Sequence, residues 1–202
     1  MSNHLVHFNQ SNSHQSNSRR SHQMKQTFRA FIAIDIAPAA KAELSRLASL
    51  LKSQCKGSYP TSDMYHMTIA FLGDITDLQA SALCRVLTER MQVYTPFELT
   101  LCRLGYFAQP DSATVFCSTE QSDTLLSLAQ DVYRSAWDVQ IPFDEKKFRA
   151  HITLGRRVDL SPIRLNTISV QRTSFPVSGL TLYKSTLTPS GPIYTPLQFI
   201  SF

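Results

Sequence analysis

Two short stretches of this sequence share one pattern: a histidine, an apolar residue, a threonine and a second apolar residue. The stretches are His66-Met67-Thr68-Ile69 and His151-Ile152-Thr153-Leu154. Each lies in a run that is typical of a β-strand, where side chains alternate between the two faces with a period of two. The histidine and the threonine of each stretch are therefore predicted to share one face, with the apolar residues on the other.

These residue types could carry out acid–base chemistry. Four of the six histidines lie within residues 1–24, and the other two are His66 and His151. Two imidazoles and two hydroxyls supply what attack on a phosphodiester requires: a base, an acid and donors for the non-bridging oxygens. We therefore predict that His66, Thr68, His151 and Thr153 are catalytic. The alternative is that the histidines are core residues and the threonines reflect β-propensity alone, but the duplication of the pair argues against it.

Charge and length give weaker constraints. The chain has 202 residues and a formal charge of +5. Residues 1–24 contribute Arg19 and Arg20 and no acidic residue, so the remainder is only mildly basic. This balance favours anionic partners but does not by itself identify RNA.

The cysteines and the hydropathy pattern bear on location and cofactors. The four cysteines are widely spaced and form no Cys-x-x-Cys pair, which predicts reduced thiols. A zinc enzyme is disfavoured because a catalytic zinc site normally needs three protein ligands, and no third histidine or suitable cysteine accompanies His66 and His151. We expect no metal and no cofactor. The sequence has neither a membrane-length apolar stretch nor the apolar region of a signal peptide, so we expect a cytoplasmic protein.

The polar residues 1–24 are predicted to be a disordered tail. Residues 25–202 are long enough for a single domain with a substantial core, or for one in which two small lobes share a core. Apolar periodicity predicts strands at 28–36, 64–72, 97–104, 113–118, 148–155, 179–187 and 193–199, and helices at 38–53, 76–92 and 120–138. Residues 158–178 are predicted to be loop, with a possible strand at 168–170. The long helix carries Trp137 on its apolar stripe.

The two motifs lie 85 residues apart, and a helix precedes each. This spacing suggests two related halves. Placing the motif strands side by side would bring four polar side chains into one cleft. We therefore predict an α+β fold in which antiparallel sheets line a central cleft and helices lie outside.

The sequence resembles the two-histidine (2H) phosphoesterase superfamily, in particular the bacterial RNA 2',3'-cyclic phosphodiesterases, also called 2'-5' RNA ligases. Four segments within residues 28–200 carry the resemblance. They are the opening strand 29–35 (RAFIAID), the first motif 66–73 (HMTIAFLG), the second motif 148–156 (FRAHITLGR) and the closing hairpin 182–197. One residue departs from the family pattern, since Ala150 stands where proline is usual.

The resemblance implies a bilobal fold and a metal-independent reaction. The 2',3'-cyclic phosphate at an RNA 3' end would be hydrolysed to a 2'-phosphomonoester, with His66 as proton donor and His151 as proton acceptor. Substrates would be such RNA ends or small cyclic nucleotides, and we expect a monomer with no obligatory protein partner and no membrane association. Two alternatives stay open: 2'-5' ligation in the same site, and a non-catalytic RNA- or nucleotide-binding module.

Three further residues are predicted to bind substrate. Arg149 shares the face of His151 by alternation, whereas Arg156 falls on the opposite face unless Gly155 bulges the strand. The family favours arginine at the position of Arg156, and either guanidinium could neutralise a phosphate. Tyr194 could stack on a base or a ribose. The alternatives are that Arg149 and Arg156 are solvated surface residues and that Tyr194 belongs to the core or to its rim.

Overall fold

The computed structural model describes residues 26–142 and 147–202. The predicted disorder of residues 1–24 lies outside the described residues. The strands are β1 Thr27–Asp35, β2 His66–Thr76, β3 Phe97–Gln109, β4 Ser112–Thr119, β5 Ile152–Val158, β6 Ser174–Val177, β7 Gly179–Thr188 and β8 Gly191–Ser201. The α-helices are α1 Pro38–Gln54, α2 Asp77–Arg90 and α3 Asp123–Asp138.

The strands of the described ranges form two four-stranded antiparallel sheets. Sheet 1 has the order β2-β1-β7-β8 and combines both ends of the described chain. Sheet 2 has the order β5-β4-β3-β6 and is built from the middle. The motif strands β2 and β5 do not pair with each other; each is an edge strand of its own sheet, and the two edges contact one another. The predicted α+β class with two antiparallel sheets is confirmed.

The helices connect the two sheets. Helix α1 follows a strand of sheet 1 but contacts β5 and β6 of sheet 2, while α3 follows a strand of sheet 2 and contacts β2 of sheet 1. Helix α3 buries one stripe at helical spacing. Its most buried apolar residues are Leu125, Leu128, Ala129, Val132 and Ala136. The buried side chains of both sheets form one contiguous cluster, so the two motif edges are held in a fixed relation.

Local sequence explains where the helices begin. The Thr76 hydroxyl accepts a hydrogen bond from the Gln79 amide N–H, and the Gln79 side chain accepts one from the Thr76 N–H. This capping box begins α2 where the sequence predicts. Helix α3 begins later than predicted, because β4 continues to Thr119 and the hydroxyl of Ser122 then caps the helix.

Three expectations from the sequence are wrong. The strands predicted at 97–104 and 113–118 are longer than expected and are joined by a two-residue turn, because the β3–β4 ladder continues through Gln109 and Ser112. Residues 158–178 are not all loop: β6 forms at 174–177 and pairs with β3, and proline is tolerated on such an edge strand. The possible strand at 168–170 is absent from the described chain. Trp137 is 70% exposed, because the buried stripe of α3 passes through its neighbour Ala136.

Candidate active site

The two histidines occupy equivalent positions at the sheet edges. His66 is the first residue of β2, and His151 immediately precedes β5. Both are half-buried, and so are the threonines two residues later, while the residues between them are fully buried. Burial therefore alternates as the sequence predicts, and each motif presents a polar pair above an apolar layer.

The same backbone hydrogen bond holds each imidazole. Nδ1 of His66 lies 2.8 Å from the carbonyl oxygen of Met64, and Nδ1 of His151 lies 2.7 Å from that of Arg149. A carbonyl oxygen can only accept a hydrogen bond, so Nδ1 carries a proton in both rings. Nε2 is therefore the atom at which each ring gains or loses its proton.

Aromatic side chains fix both rings from the side. The ring of His66 meets Tyr194 edge-on at 5.1 Å between centroids and lies 5.0 Å from Phe31. The ring of His151 meets Phe107 edge-on at 5.1 Å. These contacts restrict rotation of the rings and exclude water from one side of each.

A β-bulge in β5 brings Arg156 to the polar face. Two adjacent residues of β4 pair with Thr153 and Gly155, which leaves Leu154 between them as an extra residue. The bulge resets the alternation of the strand. Arg156 consequently lines the same cavity as Thr153. The strand therefore has the bulge that the sequence analysis required for Arg156 to share a face with His151.

The first half of the chain supports Arg156 through its backbone. The Arg156 N–H donates to the Ser58 carbonyl at 2.8 Å, and the Ser58 N–H donates to the Arg156 carbonyl at 2.9 Å. This two-way bridge attaches the loop before β2 to the edge of β5. The position of the guanidinium thus depends on residues from both halves.

Gly155 is needed at the bulge for space. A Cβ there would lie 2.8 Å from Cγ2 of Val158 and 3.0 Å from a ring carbon of Tyr59, closer than the optimal carbon–carbon separation of about 3.5 Å. We expect Gly155→Ala to lower the free energy of unfolding by about 1–3 kcal/mol and to reduce activity by displacing Arg156. Denaturant unfolding and steady-state kinetics measure the two effects.

The control for this variant is Gly73→Ala. Gly73 has a φ of +67° with nothing within 4 Å of an added Cβ, so that variant introduces backbone strain without a clash. It should lower stability and leave kcat unchanged in the folded protein. Unchanged stability and activity in Gly155→Ala would contradict the crowding argument.

Residues from both motifs meet in a cavity of about 350 Å³. Four of the seven predicted site residues line it: His66, Thr153, Arg156 and Tyr194. The rest of the wall includes the loop 58–61 and the β7–β8 turn at 190–192. The volume lies in the range of small-molecule sites, about 300–1,000 Å³.

The other three predicted residues do not line this cavity. His151 lies two residues before Thr153. The guanidinium of Arg149 stacks over the Phe107 ring at 4.9 Å, and Arg149 lines a broader groove along sheet 2. Thr68 is half-buried on β2. The catalytic and substrate-binding roles assigned to all seven residues stay predictions.

Burial lowers the pKa of both imidazoles below the ordinary histidine value. In each ring, the hydrogen bond from Nδ1 to a carbonyl opposes this and raises the pKa, whereas the positive charge of Arg156 lowers it further. A positive charge on His151 also lowers the pKa of His66. The two imidazoles therefore lie within electrostatic range of each other and of one guanidinium.

The remaining charges distinguish the two histidines. The carboxylate of Asp35 raises the pKa of His66, while the guanidinium of Arg149 lowers the pKa of His151. Asp35 thus favours protonation of His66, whereas Arg149 favours the neutral form of His151. This asymmetry is invisible in the two nearly identical motifs.

Asp35 and the loop 58–61 are contributions that sequence analysis missed. Asp35 ends an apolar strand, and only the pairing of β1 with β2 places it opposite His66. The loop 58–61 has no motif and acts through its backbone and its position. The register of β1 and β2 would have to be predicted to find Asp35, and no local signal in the sequence indicates the loop 58–61.

In the ranges 26–142 and 147–202, no cluster of three or more histidine, cysteine or acidic side chains is placed to bind a metal ion. Within the same ranges, none of the helices combines the length and apolarity needed to cross a membrane.

Comparison with known proteins identifies relatives that match most of the chain. An RNA 2',3'-cyclic phosphodiesterase of Thermotoga maritima is 31% identical over 181 residues, which is 86% of this chain and 95% of that protein. One of Methanothermobacter thermautotrophicus is 28% identical and covers 84% of this chain and 96% of its own length.

Solved structures share the fold. The protein TT0787 of Thermus thermophilus superposes with a TM-score of 0.74 at 24% identity and covers 86% of this chain and 97% of its own. Escherichia coli LigT in its apo form gives a TM-score of 0.68 at 22% identity, with 87% and 97% covered. The family model of the 2'-5' RNA ligase superfamily matches residues 37–188. Together with the two curated relatives, this match shows that the chain belongs to the 2'-5' RNA ligase superfamily.

Proposed function

We propose that this protein is an RNA 2',3'-cyclic phosphodiesterase that hydrolyses a 2',3'-cyclic phosphate to a 2'-phosphomonoester. The observation that carries the proposal is the meeting of His66, from one motif, with Thr153 and Arg156, from the other, in a single cavity. Relatives named for this activity match the chain over most of its length, and they support the choice of substrate. RNA ends and small cyclic nucleotides are the substrate classes, and the protein acts as a monomer.

The two imidazoles divide the proton transfers between them. Neutral Nε2 of His151 takes a proton from water while the water oxygen attacks phosphorus. Protonated Nε2 of His66 gives its proton to the 3' oxygen as the bond from phosphorus to that oxygen breaks. The phosphate stays on the 2' oxygen, and proton exchange with solvent restores both rings.

The surrounding side chains bind the phosphate. Arg156 and Thr153 line the cavity with His66. The guanidinium and the hydroxyl donate hydrogen bonds to the non-bridging oxygens, where negative charge concentrates. Thr68 donates from the opposite motif. Tyr194 stacks on the ribose or base beside His66, and Arg149 contacts the RNA backbone.

The pH dependence follows from the lowered pKa values. Activity falls at low pH as His151 becomes protonated, and at high pH as His66 loses its proton. Because burial lowers both pKa values, we expect kcat/KM to follow a bell whose alkaline midpoint lies below about 6.5, the ordinary imidazole value. A pH series with a 2',3'-cyclic nucleotide checks this, and a plateau that extends above about pH 8 would contradict it.

Product analysis is the direct test of the proposed function. The purified protein is incubated with a 2',3'-cyclic nucleotide, with and without a metal chelator, and the phosphomonoester is identified by chromatography against 2' and 3' standards. The expected result is the 2'-phosphomonoester at the same rate in both samples. The 3' isomer, or the absence of any product, would reject the proposal, and loss of activity on chelation would reject its metal independence.

Ligation is the second candidate, because the matching family is described as 2'-5' RNA ligases. The same two histidines would serve, with a 5' hydroxyl of RNA in place of water as the nucleophile. Incubation with RNA that carries 2',3'-cyclic phosphate and 5'-hydroxyl ends separates the two reactions. Joined RNA with a 2'-5' linkage indicates ligation, and RNA of unchanged length that ends in a 2'-phosphate indicates hydrolysis alone.

A further inference from the structure

Asp35 stands directly opposite His66 in sheet 1. It is the last residue of β1 and pairs with His66 of β2, and such cross-strand pairs share a face with Cβ atoms about 5 Å apart. Both residues line a second cavity of about 300 Å³. His66 lines both cavities, whereas Asp35 lines only the second and Arg156 only the first.

Two hydroxyl groups hold the Asp35 carboxylate. The Thr181 hydroxyl donates to one oxygen at 2.6 Å, and the Tyr183 hydroxyl donates to the other at 2.5 Å. Both donors lie on β7, and the Tyr183 ring stacks on Phe31 at 5.2 Å. Burial and the hydrogen bond to Asp35 raise the pKa of Tyr183, so its hydroxyl stays protonated.

We propose that Asp35 is a positioning residue that makes His66, rather than His151, the proton donor. The proposal rests on the proposed function. It states which of two histidines, in motifs of nearly identical sequence, donates the proton. An anionic carboxylate beside His66 favours the imidazolium form. Among the described residues, the charges that act on His151 are those of Arg156 and Arg149, and both favour its neutral form.

The other charges around His66 do not replace Asp35. Arg156 and His151 act on His66 from β5 and the segment before it, and both disfavour its protonation. Lys41 of α1 and Asp63 of the 3-10 turn Ser62–Met64 also line the second cavity, but their charges have opposite signs and interact with each other. Tyr65, Tyr183 and Tyr194 complete the titratable groups of that cavity. Asp35 is thus the carboxylate in direct register with the imidazole.

The test is Asp35→Asn, which keeps the shape and removes the charge. We expect the alkaline limb of the kcat/KM profile to move to lower pH by about 0.5–1 unit, since Asp35 is exposed and solvent screens its charge. The acidic limb, set by His151, should stay in place. Imidazole NMR titration of the same variant should show a lowered pKa for His66 and an unchanged pKa for His151.

Two controls separate charge from structure. Asp74→Asn makes the same change of charge on β2, eight residues from His66 or about 26 Å along the strand, and should move neither limb. Tyr183→Phe removes one hydrogen bond and leaves the Asp35 charge, so it should also leave the alkaline limb in place. If Tyr183→Phe reproduces the effect of Asp35→Asn, the network is only structural and the proposal is wrong.

Other outcomes also overturn the proposal. If Asp35→Asn moves the acidic limb, the group that Asp35 influences is the base, and His66 is not the proton donor. If kcat falls while both limbs stay in place, Asp35 contributes only to packing. Failure of the proposed function is seen separately, as absence of turnover in the unmodified protein. The NMR titration then still shows whether Asp35 sets the protonation of His66.

Discussion

His66→Ala and His151→Ala should each lower kcat/KM by about 10²–10⁴-fold, the contribution of a positioned general acid or base. Each ring has its Nδ1 committed to a backbone carbonyl, so Nε2 alone exchanges protons. The two histidines act in one step, and the double variant should therefore be little slower than either single variant. Steady-state kinetics with a 2',3'-cyclic nucleotide measure all three.

The matched control for each is the asparagine variant. An asparagine amide can still donate to the carbonyl that receives Nδ1–H, but it has no titratable group. His66→Asn and His151→Asn should therefore retain the fold and lose as much activity as the alanine variants. Rates close to those of the unmodified protein in any of the four would remove the assigned roles.

A substrate with an activated leaving group distinguishes the acid from the base. A nitrophenyl phosphodiester releases an oxygen that needs little help from a proton donor. The loss of rate in His66→Ala should therefore be much smaller on this substrate than on a cyclic nucleotide, while the loss in His151→Ala should stay large. The reverse pattern would exchange the two roles.

Arg156→Gln should lower kcat by about 10²–10³-fold, the usual effect of removing one donor to a developing oxyanion. The kcat of Arg156→Lys should lie between those of the unmodified protein and Arg156→Gln, because lysine keeps the charge but cannot donate two parallel hydrogen bonds. Since Arg156 lowers the pKa of both imidazoles, its removal should also move both limbs of the pH profile to higher pH. Rates across a pH series measure both effects.

Arg157→Gln is the control for that variant. Arg157 adjoins Arg156, is exposed and does not line the cavity, so the same loss of charge occurs one residue away. Its kcat should stay near that of the unmodified protein. Equal losses in the two variants would mean that net positive charge, and no specific contact, explains the effect.

The motifs could be predicted from the sequence because their evidence is local. A strand that is buried on one face must alternate, and both motif strands do so up to the threonine. The bulge after Thr153 breaks this rule, and Arg156 could only be assigned conditionally. A bulge depends on how the partner strand β4 pairs, which the residues of β5 do not encode alone.

The features that sequence analysis missed depend on distant pairing. Asp35 acts on His66 only through the register of β1 and β2, and its hydroxyl donors come from β7, almost 150 residues later. Strand β6 forms because the edge of β3 is available, although its own four residues include Pro176. Trp137 has the right residue type for a core but the wrong angle on its helix.

The order of strands in sheet 1 also has a consequence for synthesis of the chain. Strand β1 lies inside the sheet, between β2 and β7, and roughly 100 residues separate the end of β2 from the start of β7. At translation rates of about 5–20 residues per second, one edge of this apolar strand stays unpaired for on the order of 5–20 s before β7 is synthesised. Sheet 2 can already be complete by then. Until β7 emerges from the ribosome, the open edge of β1 is a template for aggregation, and the yield of folded protein should depend on chaperones that cover nascent chains.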